Sequence, residues 1–162
     1  MKSLFSKKLF LFIAIVISVV LCSIVYSHCQ IPCGIYDDPA RFSQIDEHIT
    51  TIEKSMKQVT ELSQQKETNM NQIVRWVYNK EVHADKLTEI VTYYFMAQRV
   101  KPVDESDEKQ YKEYVNKLTN LHKMVFYSMK CKQTTDLSNV EKLRKLLREF
   151  REAYLKEHGH EH

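Results

Sequence analysis

Glycine is nearly missing from this chain of 162 residues, which has only Gly34 and Gly159. The chain therefore lacks the Gly-rich loop with which many enzymes hold phosphate groups. It also shows no run of alternating apolar and polar residues of the kind that marks a half-buried strand, and no internal repeat. With strands and phosphate loops unsupported, the sequence favours an all-α fold.

Excess positive charge is also missing once the first 27 residues are set aside. The whole chain has 24 Lys and Arg against 21 Asp and Glu, but Lys2, Lys7 and Lys8 precede residue 28 and no acidic residue does. The remaining 135 residues therefore carry 21 charges of each sign and a formal charge of zero. Because nucleic-acid binding depends on a basic surface, we expect no nucleic-acid partner.

The amino-terminal lysines precede an apolar run over residues 9–26, which is the pattern of a secretory signal peptide. The small side chains of Val25 and Ser27 suit signal peptidase and predict removal of residues 1–27, so that His28 becomes the amino terminus. We then expect an exported protein, periplasmic, extracellular or lumenal, without stable membrane association. An uncleaved membrane anchor remains the alternative, because about eighteen apolar residues approach the minimum for a bilayer span.

The segment that would follow this cut, residues 28–36, reads H-C-Q-I-P-C-G-I-Y and has the composition of a metal-binding hook. A terminal His28 offers its α-amine, which titrates near pH 8, and its imidazole. Cys29 adds its amide nitrogen and thiolate, and Cys33 a second thiolate. A planar nitrogen and sulfur set favours Ni(II) or Cu(II) over tetrahedral zinc. Pro32 and Gly34 help the chain to turn back between the thiols.

A mature chain that opens H-C-x-x-P-C-G-x-Y and continues with acidic residues resembles nickel superoxide dismutase. The resemblance implies an antioxidant oxidoreductase that converts superoxide to dioxygen and hydrogen peroxide with one nickel ion per subunit, cycling between Ni(II) and Ni(III). It also implies a homohexamer of antiparallel four-helix bundles, each preceded by the hook. His28, Cys29 and Cys33 would bind the nickel. Tyr36 would lie beside the open coordination face of the nickel as a further catalytic residue, without being a ligand.

Gln30 departs from this pattern, since many members of the family have an acidic residue there. Two other interpretations of the segment also stay open. The first is an exported thiol and histidine module that binds or delivers copper or nickel without turnover. The second is a disulfide between Cys29 and Cys33 in a structural helical protein, because paired cysteines in exported chains are most often oxidised.

The rest of the chain predicts four helices in a domain over residues 37–157. The first begins with Asp38 as its cap and Pro39 in its first turn, and the second spans about 71–98 before Lys101 and Pro102. The third begins near Asp104 or Ser106. Their predicted buried stripes, from helical spacing, are Phe42, Ile45, Ile49, Ile52, Met56 and Val59 in the first, Ile73, Val77, Leu87, Ile90, Val91 and Tyr94 in the second, and Tyr111, Val115, Leu118, Val125 and Met129 in the third.

The fourth helix has the clearest predicted start, a capping box formed by Ser138 and Glu141. Its predicted stripe consists of Val140, Leu143, Leu147, Phe150 and Tyr154. Because no helix can bury its stripe alone, the four predict an antiparallel bundle.

Several further residues carry weaker predictions. His122 lies on the third predicted stripe and is interpreted as a core or interface histidine rather than a ligand. Cys131 is interpreted as an unpaired small hydrophobic residue. Candidate partners for the free ring nitrogen of His28 are Asp46 and Glu47, which suit solvent-facing helix positions at least as well, and His83 is a weaker candidate for the same role. Residues 158–162 form a His-rich tail, either solvated or metal-binding, with His158, His160 and His162. Tyr93 and Tyr127 are candidate interface residues.

Overall fold

The computed structural model describes residues 38–158, which form four helices with no strand in that range. Helix α1 spans Asp38–Ser63, α2 spans Met70–Glu89 and continues as a π-helix over Ile90–Arg99, α3 spans Glu108–Gln133, and α4 spans Ser138–His158. The all-α class and the four predicted helices are confirmed. The predicted signal peptide, the hook over residues 28–36 and tail residues 159–162 lie outside the described residues.

The four helices contact one another as a bundle, α1 with α2, α2 with α3, α3 with α4 and α4 with α1. Side-chain contacts show that α1 and α4 run in opposite directions. The first residue of α1, Asp38, meets Tyr154 near the end of α4, whereas Glu53 further along α1 meets Arg144 near the start of α4. Short connections between consecutive helices suit this arrangement.

The core is built mainly from the predicted stripes of α1 and α4. Each predicted residue of α4 is buried, as are those of α1 apart from Val59, which is half-buried. Ile73 is half-buried and Val77 is exposed in α2, where Leu87, Val91 and Tyr94 are buried as expected. Aromatic rings fill the end of the core near Asp38 at centroid separations of 4.9–5.8 Å, in the tilted and edge-to-face arrangements that such rings prefer: Phe42, Phe95, Phe150 and Tyr154.

The predicted stripe of α3 is wrong in register. Val115 and Met129 are exposed, and the other predicted residues, Tyr111, Leu118 and Val125, are only half-buried. Polar side chains lie on the buried face instead. Ser128 is fully buried, and its hydroxyl donates to the Ala84 carbonyl at 2.8 Å, which satisfies its hydrogen-bonding need there. The buried residues of α3 are Lys117, Asn120, Leu121, Met124, Ser128 and Cys131.

His122 is exposed in this register, so its interpretation as a core histidine is wrong and its interface interpretation stays a prediction. Cys131 is fully buried and forms no disulfide, which confirms the interpretation as a small hydrophobic residue.

Two helix starts also differ from the predictions. Helix α3 begins at Glu108, because Asp107 accepts a hydrogen bond from the Gln110 amide at 3.0 Å and acts as the cap. At the start of α4 the Ser138 hydroxyl donates to Asp136 at 2.8 Å, and the Glu141 amide donates to the Leu137 carbonyl. The predicted capping box is therefore replaced by a turn centred on Asp136.

None of the helices within residues 38–158 combines the length and the apolar character that crossing a membrane requires.

Candidate functional site

The described residue closest in sequence to the predicted hook is Asp38, two positions after Tyr36 at the start of α1. Its carboxylate lies where α1, the π-helix and α4 meet. The Tyr154 hydroxyl donates to Oδ2 at 2.7 Å and the Tyr94 hydroxyl donates to Oδ1. Arg99 adds an ion pair, with Nε 3.1 Å from Oδ1. We call Asp38, Tyr94, Arg99 and Tyr154 the Asp38 network.

The π-helix explains how Tyr94 and Arg99 reach the same carboxylate. Residues five apart diverge by about 140° around an α-helix, whereas the i→i+5 hydrogen bonding of a π-helix brings them close to one face. The Val100 amide donates to the Phe95 carbonyl at 2.9 Å in this i→i+5 pattern, and Arg99 Nη2 donates to the Tyr94 hydroxyl at 2.9 Å. Wider winding in this segment therefore turns both side chains toward the start of α1.

Burial and the hydrogen bond to Asp38 keep the two tyrosines protonated. Burial is the larger cause and the Asp38 bond the next one, and together they raise the pKa of both Tyr94 and Tyr154. Both hydroxyls consequently act as donors at neutral pH. The first described residue after the hook is thus held by protonated donors from two other helices.

Positive side chains lie around the same end of the bundle. The guanidinium groups of Arg41 and Arg99 stand 5.3 and 5.0 Å from the centre of the Tyr94 ring, and that of Arg151 stands 5.6 Å from the centre of the Phe42 ring. Contacts of this kind hold guanidinium groups against aromatic faces. Three cations are therefore arranged near the start of α1.

The candidate partners of His28 have contacts of their own within the bundle. Asp46 forms an ion pair with Arg144 at 3.2 Å, and Arg144 forms a second ion pair with Glu53 at 2.8 Å. Glu47 is exposed, and His83 lies against His48 of α1. Which of these residues would support His28 stays a prediction, because His28 is outside the described residues.

Tyr94, Arg99 and Tyr154 were not identified as a site by sequence reasoning. Tyr94 and Tyr154 were predicted only as core residues, and no motif links them to Asp38, which lies 56 and 116 positions away. The one weak signal was the pair of acidic residues that follows the hook, Asp37 and Asp38.

Nickel requires donors that the described bundle does not bring together, since no three His, Cys, Asp or Glu side chains are grouped for a metal within residues 38–158. The donors at positions 28–33 fit this ion in kind, because thiolate and nitrogen ligands suit Ni(II). The Cys131 thiol differs, since burial raises its pKa to about 11 and keeps it a neutral core group.

The family model of nickel-containing superoxide dismutase matches residues 23–158. The match therefore includes the predicted hook together with all four helices. The chain belongs to the nickel-containing superoxide dismutase family. It is an oxidoreductase with a nickel cofactor and superoxide as its substrate, and the alternative of metal delivery without turnover has no support. No curated protein and no solved structure gave a significant match.

Proposed function

We propose that His28, Cys29 and Cys33 bind the nickel ion, one per subunit, in a hook over residues 28–36 that precedes an antiparallel four-helix bundle. The observation that carries the proposal is the family match, which extends through the hook as well as the helices. The donor set supports it, because two thiolates, an imidazole and an α-amine lie within six residues of sequence.

The roles of the hook residues follow from their chemistry. Bound nickel supplies a one-electron couple, Ni(II)/Ni(III), that superoxide can both reduce and oxidise. Cys29 and Cys33 donate thiolate charge, which favours the higher oxidation state, and Cys29 adds its deprotonated amide. His28 contributes its amine and its imidazole. Tyr36 is not a ligand in this proposal and orders water or limits access beside the ion.

The Asp38 network is proposed as the fixed base of this hook. Asp38 follows Tyr36 by two residues, and its carboxylate is held by Tyr94, Tyr154 and Arg99. Holding the chain at this point limits where the residues before it can reach, which is a positioning role. The nearby guanidinium groups add a local positive field for the superoxide anion in a chain whose mature charge is zero.

Export and assembly complete the proposal. Removal of residues 1–27 would give His28 the free amine that the ligand set requires, and would place the protein in a periplasmic, extracellular or lumenal compartment. Assembly as a homohexamer would use exposed residues of the bundle. Tyr93, with 60% of its surface exposed, is one candidate, and the half-buried Tyr127 is another.

The mature amino terminus and one substitution test the ligand assignment. Edman sequencing of the native protein should begin at His28. Replacement His28→Ala keeps the amine, the amide and both thiolates, so nickel should still bind while superoxide consumption per nickel falls steeply. Full activity from a chain that starts at any other residue would refute the role of the amine.

Light scattering of the nickel-loaded protein tests the assembly separately. We expect the mass of a hexamer, and a clean monomer would contradict that part of the proposal.

A further inference from the structure

A pair of histidines joins α1 to α2 away from the Asp38 network. Nδ1 of His48 lies 3.0 Å from Nδ1 of His83, and the two rings meet edge to face at a centroid separation of 5.0 Å. Both side chains are half-buried. Ten residues of helix separate His48 from Asp38, about 15 Å along α1, so this pair is distinct from the Asp38 network.

The separation of the two nitrogen atoms matches that of two imidazole ligands on one ion. Metal to histidine bonds are about 2.0–2.1 Å long, so two such nitrogen atoms stand about 2.9 Å apart at a right angle and about 3.4 Å apart at a tetrahedral angle. The observed 3.0 Å lies within this interval. We propose that His48 and His83 form a second metal site, which binds a divalent transition-metal ion such as zinc between α1 and α2.

The protonation state of the pair suits such a site. Burial is the largest cause that lowers the pKa of both rings. The interaction with His83 lowers that of His48 further and the charge of Lys86 lowers both, so the neutral form of each ring is favoured. Without metal, one Nδ1–H donates to the other Nδ1. When an ion binds, the donating ring carries its proton on Nε2 instead, so no net proton is released. Neutral imidazole is the form that binds metals.

The neighbouring charges set the expected strength. The negative charge of Glu47 raises the pKa of both rings, whereas the positive charge of Lys86 lowers it. The same negative charge would attract a bound cation. Lys86 opposes the cation, but its side chain is exposed on α2 and is free to extend into solvent. Water would complete the coordination. A site with two protein ligands should therefore be weak and reversible.

Thermal unfolding of the full nickel-loaded protein with added zinc tests this site. An ion that bridges two helices binds only the folded bundle, so zinc should raise the melting temperature by on the order of 5 °C at saturation. His48→Gln and His83→Gln should each abolish this rise. His122→Gln, which changes an exposed histidine of α3, should keep it and is the matched control.

The zinc-dependent rise is compared within each variant, so a change in its starting stability does not confuse the result. Nitrogen-15 resonances of the histidine rings give a second measurement on the unaltered protein, in which zinc should shift both His48 and His83. An equal rise in His83→Gln, or unshifted resonances of His48 and His83 at saturating zinc, would show that the pair is only a hydrogen bond and would overturn the proposal.

Discussion

The segment over residues 28–36 and the bundle over residues 38–158 use their side chains in opposite ways. The hook sequence concentrates two thiols, an imidazole and a tyrosine in nine residues and has no helical stripe. The bundle buries apolar side chains from all four helices, and within it Cys131 is a buried core residue. In this chain the donors for metal chemistry and the stabilising core therefore occupy separate stretches.

This separation predicts that activity and stability can be changed independently, with one exception at Asp38. That residue belongs to α1 but lies two positions from the hook, and residues of the π-helix and α4 hold it. Substitutions in the hook, in the core and at Asp38 test these three expectations in turn.

The largest effect is expected in the hook. Cys33→Ser replaces a thiolate with a neutral hydroxyl that is a poor ligand for nickel, so superoxide consumption should fall at least a thousandfold, equivalent to about 4 kcal/mol. Circular dichroism and thermal unfolding of the bundle should be unchanged. A Cys33→Ser protein that kept both its nickel and its full rate would refute the ligand assignment.

The next largest effect is expected in the core. Phe150 is fully buried against Phe42, Phe95 and Tyr154, so Phe150→Ala should lower the free energy of unfolding by about 3–5 kcal/mol. The rate per bound nickel in the folded protein should be retained.

Phe126→Ala is the matched control for Phe150→Ala, because Phe126 is 41% exposed. Phe126→Ala removes the same atoms, but from the surface, together with the contact between the Phe126 ring and Lys130. The free energy of unfolding, measured with denaturant, should therefore fall by less than about 1 kcal/mol. Equal losses in the two variants would contradict the assigned core.

The success of sequence reasoning differed between helices for a physical reason. In α1 the spacing of Phe42, Ile45 and Ile49 identified the buried face, because that face is almost wholly apolar. In α3 the buried face includes Asn120 and Ser128, so apolar spacing indicated a neighbouring face. A satisfied polar group in a core leaves no periodic signal in hydrophobicity.

The site shows a similar division. The hook could be predicted because its ligand types are adjacent in sequence, and the family match agrees with the predicted function. The Asp38 network could not be predicted from the sequence, because Tyr94 and Tyr154 lie 56 and 116 positions from Asp38. It also depends on a π-helix within a segment predicted as regular helix. Helix propensity and apolar spacing do not distinguish this winding from that of an α-helix.

A smaller effect on stability is expected at Asp38, with an added effect on activity. Asp38→Asn keeps the shape but removes the charge that Tyr94, Tyr154 and Arg99 contact, so the free energy of unfolding should fall by about 3 kcal/mol. If the network positions the hook, the superoxide rate per bound nickel should fall as well.

Asp46→Asn is the control for Asp38→Asn, since Asp46 forms a more exposed ion pair with Arg144. It should cost less than about 1 kcal/mol and leave the rate unchanged. An unaltered rate per nickel in Asp38→Asn would show that the network stabilises the bundle without positioning the hook.

The smallest effect concerns Cys131 in alkaline solution. Burial raises the pKa of this thiol from 9.0 to about 11, so the unfolded chain ionises first as the pH rises. The resulting contribution to stability is fully present below pH 9 and is lost as the pH rises toward 11, by on the order of 2 kcal/mol.

Cys131→Ala removes this titration, so its unfolding free energy should fall less between pH 8 and 11 than that of the unaltered protein. Tyr94 and Tyr154, whose raised pKa values act in the same direction as the thiol, are common to both proteins. Lys80, whose pKa is lowered by burial and acts in the opposite direction, is present in both proteins but is coupled to the charge of Cys131. The difference between the two pH profiles from denaturant unfolding therefore reports the ionisation of the thiol together with its coupling to Lys80. Parallel profiles would mean that Cys131 ionises in the folded bundle as readily as in the unfolded chain, and would contradict its assignment as a core residue separate from the metal chemistry.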